Sequence, residues 1–266
     1  MSDKKEFYVG YFPKAPKGIS RFVVLAVFGF FILLAASAYV VVSNQTTVNN
    51  GSYQFGELTE VEGLIYMGPQ PFIKVIEGED VNGDPVFKNI LLISFGKFGA
   101  TPALEKIRSE IALTYDRVYV KLRGTLVYHN GTTLLELTEN EKAYISYRPL
   151  VDKSLYLKDV KDLGTQTLTG EIIDPKCYFG SMKPGEGKPH KSCAGLCISG
   201  GIPPMYVVKN EKGLADYYLI LGEDGKPVID EVLPYLSEVT TLSGRVETLD
   251  EWKVVYVKPN GINRIQ

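Results

Sequence analysis

Hydrophobic and polar positions divide the chain into regimes of different period. Residues 22–42 form an apolar run without a single charge, long enough as a helix to cross a hydrocarbon core of about 30 Å. Residues 43–55 are polar and rich in Asn, Gly and Ser, and predict a linker. Short Val-, Ile- and Tyr-rich segments then alternate with Gly, Pro, Asn and Asp turns, which predicts strands at 58–66, 72–76 and 86–95. Residues 101–115, TPALEKIRSEIALTY, predict a helix, with Thr101 as N-cap, Pro102 in the first turn, and Leu104, Ile107, Ile111 and Leu113 on or near one face. Two further strands, 118–129 and 132–137, flank Asn130-Gly131, a dipeptide suited to a two-residue hairpin.

The second half repeats this order. A strand at 168–173 is followed by a long Gly/Pro-rich stretch, strands at 205–209 and 217–221, a helix at 228–236, and strands at 239–247 and 253–257. Leu122-Arg-Gly124 aligns with Leu242-Ser-Gly244, and Leu134-Leu-Glu-Leu with Val254-Val-Tyr-Val, both at an offset of 120. Val61-Glu-Gly63 also matches Leu168-Thr-Gly170. Three strands, a helix and two strands is the element order of the OB-fold, and both halves resemble it. The expected architecture is mainly β: two tandem five-stranded OB-fold-like barrels, at 56–148 and 165–264, each with one helix, behind an N-terminal transmembrane helix. A β-sandwich is the alternative.

Charge sets orientation and excludes one class of partner. Lys4, Lys5, Lys14, Lys17 and Arg21 precede the apolar run, and residues 43–52 after it carry no charge. The positive-inside rule then places the tail 1–21 in the cytoplasm and the barrels outside it, in the periplasm or its equivalent. Ala35-Ala36-Ser37-Ala38 resembles a signal-peptide cleavage site, but the run exceeds the usual 7–15-residue apolar core, which favours an uncleaved anchor in the cytoplasmic membrane. With 29 basic against 31 acidic side chains, the chain lacks the basic excess of a nucleic-acid binder.

The candidate chemistry is confined to residues 174–204, an expansion of the loop between the first and second strands of the second barrel. The corresponding loop of the first barrel is only Met67-Gly-Pro-Gln-Pro71. All three cysteines, Cys177, Cys193 and Cys197, lie there with His190, one of two histidines. The density of glycine and proline predicts a loop of fixed turns without helix or strand. Three cysteines and a histidine match the donor set of a closed zinc site, and a loop poor in apolar side chains gains from such a clip. Copper suits the same donors, with Met182 or Met205 as a weak additional ligand, and iron is a further possibility. The competing expectation is a disulfide, common outside the cytoplasm, which would remove the need for a cofactor. The odd cysteine count favours the metal. Lys183, Lys188 and Lys191 make the loop basic and suit docking of an acidic partner. His129, beside the Asn-Gly turn, is expected in solvent, and Trp252 in packing. No Ser-His-Asp set, carboxylate pair or phosphate loop is present.

A single inside-to-outside anchor ahead of an OB barrel resembles the membrane-anchored haem chaperone family of cytochrome c maturation. That family carries haem on an H-x-x-x-Y motif, which this chain lacks, so the resemblance covers architecture alone. Three functional expectations follow. The first is an anchored extracytoplasmic metal-binding or disulfide-stapled module, an accessory subunit of a respiratory or other membrane complex. The second is a copper or haem carrier. The third is a thiol oxidoreductase using Cys193 and Cys197.

Overall fold

The computed structural model describes residues 16–45, 51–68, 70–111, 115, 118–149 and 159–265. Two units are distinct, residues 1–47 and 48–266. The described part of the first is helix α1, Lys17–Ser43, 27 residues with none buried. At 1.5 Å per residue it is about 40 Å long, so by length and composition it suits a membrane span or a signal sequence.

The second unit is mainly β and contains two closed five-stranded barrels. In the first, β2 (Thr59–Tyr66), β3 (Phe72–Glu79) and β4 (Pro85–Ser94) run antiparallel, followed by α2 (Thr101–Ile111), β5 (Val118–His129) and β6 (Thr132–Leu137). The pairing of β4 with β6 is parallel, and β5 closes the barrel by pairing with both β6 and β2. The second barrel uses β8 (Val160–Ile173), β9 (Met205–Lys209), β10 (Ala215–Gly222), the short α4 (Ile229–Val232), β11 (Val239–Leu249) and β12 (Trp252–Arg264) in the same order. Its one parallel pair, β10 with β12, occupies the equivalent place. This is the OB order read from the sequence.

Particular glycines show why the repeat is legible. A Cβ on Gly124 would lie 2.2 Å from the Glu136 carbonyl oxygen, and one on Gly244 would lie 2.3 Å from that of Tyr256. The offset of 120 therefore relates each glycine and also the strand that crowds it. Gly63 and Gly170 form a second such pair, crowded by the carbonyls of Lys74 and Val207. In each case the coiled strand brings a neighbour too close for a side chain. Asn130 and Gly131 both adopt positive φ, 48° and 79°, as a two-residue hairpin matched to strand twist requires.

Three expectations are corrected, and one strand was not foreseen. The stretch 174–204, expected to hold no helix, contains α3, Lys191–Ser199. The predicted helix at 228–236 is a single α-turn tightened by a 3-10 turn over Leu233–Tyr235, because Pro234 lacks the amide that would extend it. Part of the predicted linker is strand β1, Ser52–Tyr53, paired with β5. A further strand, β7 (Tyr144–Pro149), pairs with β5 as well. Of the helix read at 101–115, residues 112–114, with Leu113 among them, lie outside the described residues.

Alternation along the strands builds three apolar layers. Ile73, Ile90, Leu92 and Leu135 fill the first barrel, and Ile172, Tyr206, Ile220 and Val255 fill the second. Their neighbours in sequence face outward yet stay dry. Phe72, Leu91, Ile93 and Leu134 of the first barrel pack with Ile173, Met205, Leu219 and Val254 of the second in one seam. Strands such as β4 are apolar on both faces because one face fills a barrel and the other fills the seam. The β11–β12 hairpin locks it: Trp252 packs edge-on to Phe72 at 5.1 Å and donates its indole N–H to the Asn89 carbonyl at 2.8 Å. Lys74, buried, pairs with Asp250 at 3.1 Å.

The crowding at Gly244 gives a stability test. Gly244→Ala is expected to lower unfolding stability in urea by about 1–3 kcal/mol, the usual cost of overpacking. Gly78→Ala, where nothing lies within 4 Å, is expected to stay within about 0.5 kcal/mol. Equal effects at both positions would overturn the crowding account.

Candidate metal centre

The loop begins where β8 ends. Asp174 accepts the Lys176 backbone N–H on Oδ1 at 2.9 Å, and its carbonyl accepts the Tyr178 N–H at 3.0 Å. This local turn opens one wide helical turn, Cys177–Ser181, and aims Cys177 into the seam. Gly185 folds back against it, since a Cβ there would meet the Tyr178 Cα at 2.5 Å. The chain then enters α3 through His190. Cys193 and Cys197 lie four residues apart on that helix and so share a face. Gly201, at φ 97°, ends the helix, and the Ile202 N–H returns to the Cys197 carbonyl.

The end of α3 is also where the first barrel docks. The Gly99 N–H donates to the Gly200 carbonyl at 3.1 Å. A Cβ on Gly200 would lie 1.9 Å from the Lys97 carbonyl oxygen, and one on Gly99 would lie 2.1 Å from that of Gly201. Only a pair of glycines allows the two loops to meet this closely. The contact delivers Lys97, whose ammonium donates to the Cys193 sulfur at 2.9 Å and lies 3.8 Å from the Cys197 sulfur. Lys176 extends the other way, 2.6 Å from the fully buried Glu136 and 2.6 Å from the Gly96 carbonyl.

The donors gather as two overlapping groups. Donor atoms of Cys177, His190 and Cys193 lie within 4.8 Å of one another, and so do those of Asp174, Cys177 and Cys197. The set Cys177, His190, Cys193 and Cys197 can therefore hold a metal ion, with Cys177 common to both groups and Asp174 an additional donor. All three cysteines are unpaired. The Cys177 and Cys193 sulfurs are 3.8 Å apart, against about 2.05 Å in a disulfide. Cys177 and Cys197 are buried, and Cys193 is partly exposed.

Electrostatics suits ligation. Burial holds the His190 imidazole below its usual pKa, against the nearby Asp174 and with Lys97, so the ring is neutral and keeps a lone pair. Its Nδ1 is 3.3 Å from the Met182 sulfur, while Nε2 is buried with no hydrogen-bond partner among the described residues. The Cys177 thiol is pushed up by its hydrogen bond with Cys197, then by burial and by Asp174. A metal ion displaces such protons when it binds. The Lys97 ammonium is held protonated, chiefly by its hydrogen bond with Cys193.

The remaining sequence candidates fall as follows. Met205 is fully buried in the seam with Cys177 and Cys197. Lys183 and Lys188 are exposed, whereas Lys191 is tied to Glu238 in an ion pair. His129 is not the solvated turn residue expected. Its ring stacks on Tyr178 with 6.1 Å between centroids, because β5 abuts the Cys177–Ser181 turn. Sequence reasoning missed Asp174 and Lys97. Asp174 stood at the head of the loop as a ligand-type residue, but nothing local marks Lys97 beyond the glycines around it. No family model matches the chain, and no curated protein is similar to it in sequence.

The sulfur geometry sets an expected thiol count. Protein denatured without reductant, in the presence of chelator, is expected to titrate three thiols. Native protein is expected to expose Cys193 to alkylation ahead of Cys177 and Cys197. A count of one would show a disulfide and overturn this geometry.

Proposed function

We propose that the chain is a membrane-anchored, extracytoplasmic module that binds zinc through Cys177, His190 and Cys193, with Cys197 and Asp174 beside them. The observation that carries this reading is a neutral, fully buried imidazole with an unpartnered nitrogen, grouped with two sulfurs. A buried polar atom without a partner is costly, about 1–3 kcal/mol, and a cation shared with the sulfurs removes that cost. The donor chemistry favours zinc, which accepts thiolate, imidazole and carboxylate together. Copper(I) gains little from the hard Asp174 carboxylate, though Met182 beside His190 suits it. Helix α1 serves as the anchor, with the barrels outside the cytoplasm. Lys183, Lys188, Phe98 and Leu196 are each exposed and are available to a protein partner in the membrane or next to it, such as a larger membrane complex.

A second reading is a thiol oxidoreductase. The Lys97 ammonium donates to the Cys193 sulfur at 2.9 Å, and Cys177, with its sulfur 3.8 Å from that of Cys193, is the resolving thiol by geometry in place of the Cys197 read from the sequence.

Metal content separates these. Full-length protein purified in detergent is expected to be colourless and to retain zinc through dialysis, and His190→Ala is expected to retain less of it than the unaltered chain. Zinc present at about a thousandfold over its Kd should stabilise folding by about 4 kcal/mol, lost on chelation as a fall in Tm. Protein free of metal, with a Tm indifferent to zinc, would overturn the zinc reading. Visible colour would point to copper, iron or haem.

Topology is tested separately. A reporter active only outside the cytoplasm, fused after Gln266, is expected to be active. Activity of a cytoplasm-only reporter at that position would reverse the orientation.

A further inference from the structure

We propose that the loop holds two metal ions joined by Cys177, which acts as a bridging thiolate. This rests on the zinc reading above and deepens it. One ion would take Cys177, His190 and Cys193, and the second would take Asp174, Cys177 and Cys197, the two groups whose donors each lie within 4.8 Å.

The observation that separates one ion from two is the pair of orphaned atoms. Among the described residues, His190 Nε2 and Asp174 Oδ2 are both buried without a hydrogen-bond partner, and both residues are 0% exposed. A single ion in the first group satisfies His190 and leaves the Asp174 oxygen stranded. Asp174 Oδ1 is already committed to the Lys176 N–H, so the carboxylate is oriented with its free oxygen available to a second cation. An unpaired buried carboxylate oxygen is strongly unfavourable, and coordination is a standard way to remove that penalty. Cys197, 1% exposed, then gains a role that a single site at the other end of the cluster does not give it.

Ligand chemistry permits the bridge. A thiolate sulfur has lone pairs for two metals, and zinc–sulfur bonds of about 2.3 Å with zinc–oxygen bonds of about 2.0–2.2 Å place tetrahedral donors about 3.5 Å apart. The Cys177–Cys193 separation of 3.8 Å already approaches that value. Lys97 lies outside both sets, donating to the Cys193 sulfur, and tempers the charge of clustered thiolates as outer hydrogen bonds do at metal sites. Met182 contacts His190 Nδ1 at 3.3 Å, which leaves the unpartnered Nε2 to coordinate.

The test loads reduced, full-length protein in detergent with excess Zn²⁺ under anaerobic conditions, removes unbound metal, and counts zinc per chain. Two per chain are expected, falling to one in Asp174→Asn, with circular dichroism confirming that the variant is folded. A measurement on the unaltered chain tests the bridge itself. Added Co²⁺ should give a paramagnetic signal that grows to one equivalent and then falls by at least half at two, because a shared thiolate couples the two ions antiferromagnetically. One zinc per chain, with His190→Ala abolishing it, would overturn the pair and leave the single zinc site standing. No zinc at all would overturn both readings. Two zinc ions retained in Asp174→Asn, or a cobalt signal that grows through two equivalents, would overturn the bridged arrangement.

Discussion

The seam between the two barrels is the constraint on which the rest of the second unit depends. Each barrel already fills its own interior, so the outward residues of β3, β4, β9, β10 and β12 would lie in water if the barrels separated. Phe72, Leu91, Ile93, Met205, Leu219 and Val254 do not tolerate that exposure well, and the seam gives them one shared core. Cys177, Tyr178, Phe179 and Cys197 belong to the same cluster. The donors are therefore held in a wall of a hydrophobic core, with rigidity the loop could not supply from its own composition.

Burial at the seam makes its polar groups consequential. Glu136 is fully buried on the first barrel and is answered by Lys176 of the second at 2.6 Å. Removing one partner of such a pair costs about 3–5 kcal/mol, because the other is left charged and dry. Tyr53, from the strand ahead of the first barrel, also donates to Glu136, at 3.2 Å. The result fixes the register of loop against barrel next to the cysteines. Lys176 and Lys97 thus have different tasks: the first pins the loop through Glu136, and the second meets the Cys193 and Cys197 sulfurs.

The fold was largely legible because its signals are local and repeated. Period-two alternation marked the strands, Asn130-Gly131 marked a hairpin, and Gly124 and Gly244 marked equivalent crowded crossings. The loop was misread where an average hid a position. Glycine and proline are dense across residues 174–204, yet between His190 and Gly200 the only interruption is Gly195, and Ala194, Leu196 and Ile198 support a helix. The breakers lie at the ends of α3, where they cap it. Cys177, His190 and Cys193 were recognisable from residue type and confinement. Lys97 was not, since its position depends on two glycines about a hundred residues apart meeting across the seam. His129 was misjudged for the same reason: the ring that covers it, Tyr178, comes from the other barrel.

The repeat explains why a loop of this kind sits on one barrel only. Two similar barrels packed through equivalent scaffolds offer two positions between first and second strands. At one, the chain spends only the short turn after β2. At the other, it spends the stretch from Asp174 to Pro204, which has to be roofed. The first barrel supplies that roof: its β4–α2 loop reaches the end of α3 through Gly99 and Gly200, its β5 end lies against the Cys177–Ser181 turn, and Gly51 meets Phe179 so closely that a Cβ would stand 1.9 Å from its carbonyl oxygen. A two-barrel architecture with one long loop follows from that geometry: one barrel carries the donors, and the other closes over them.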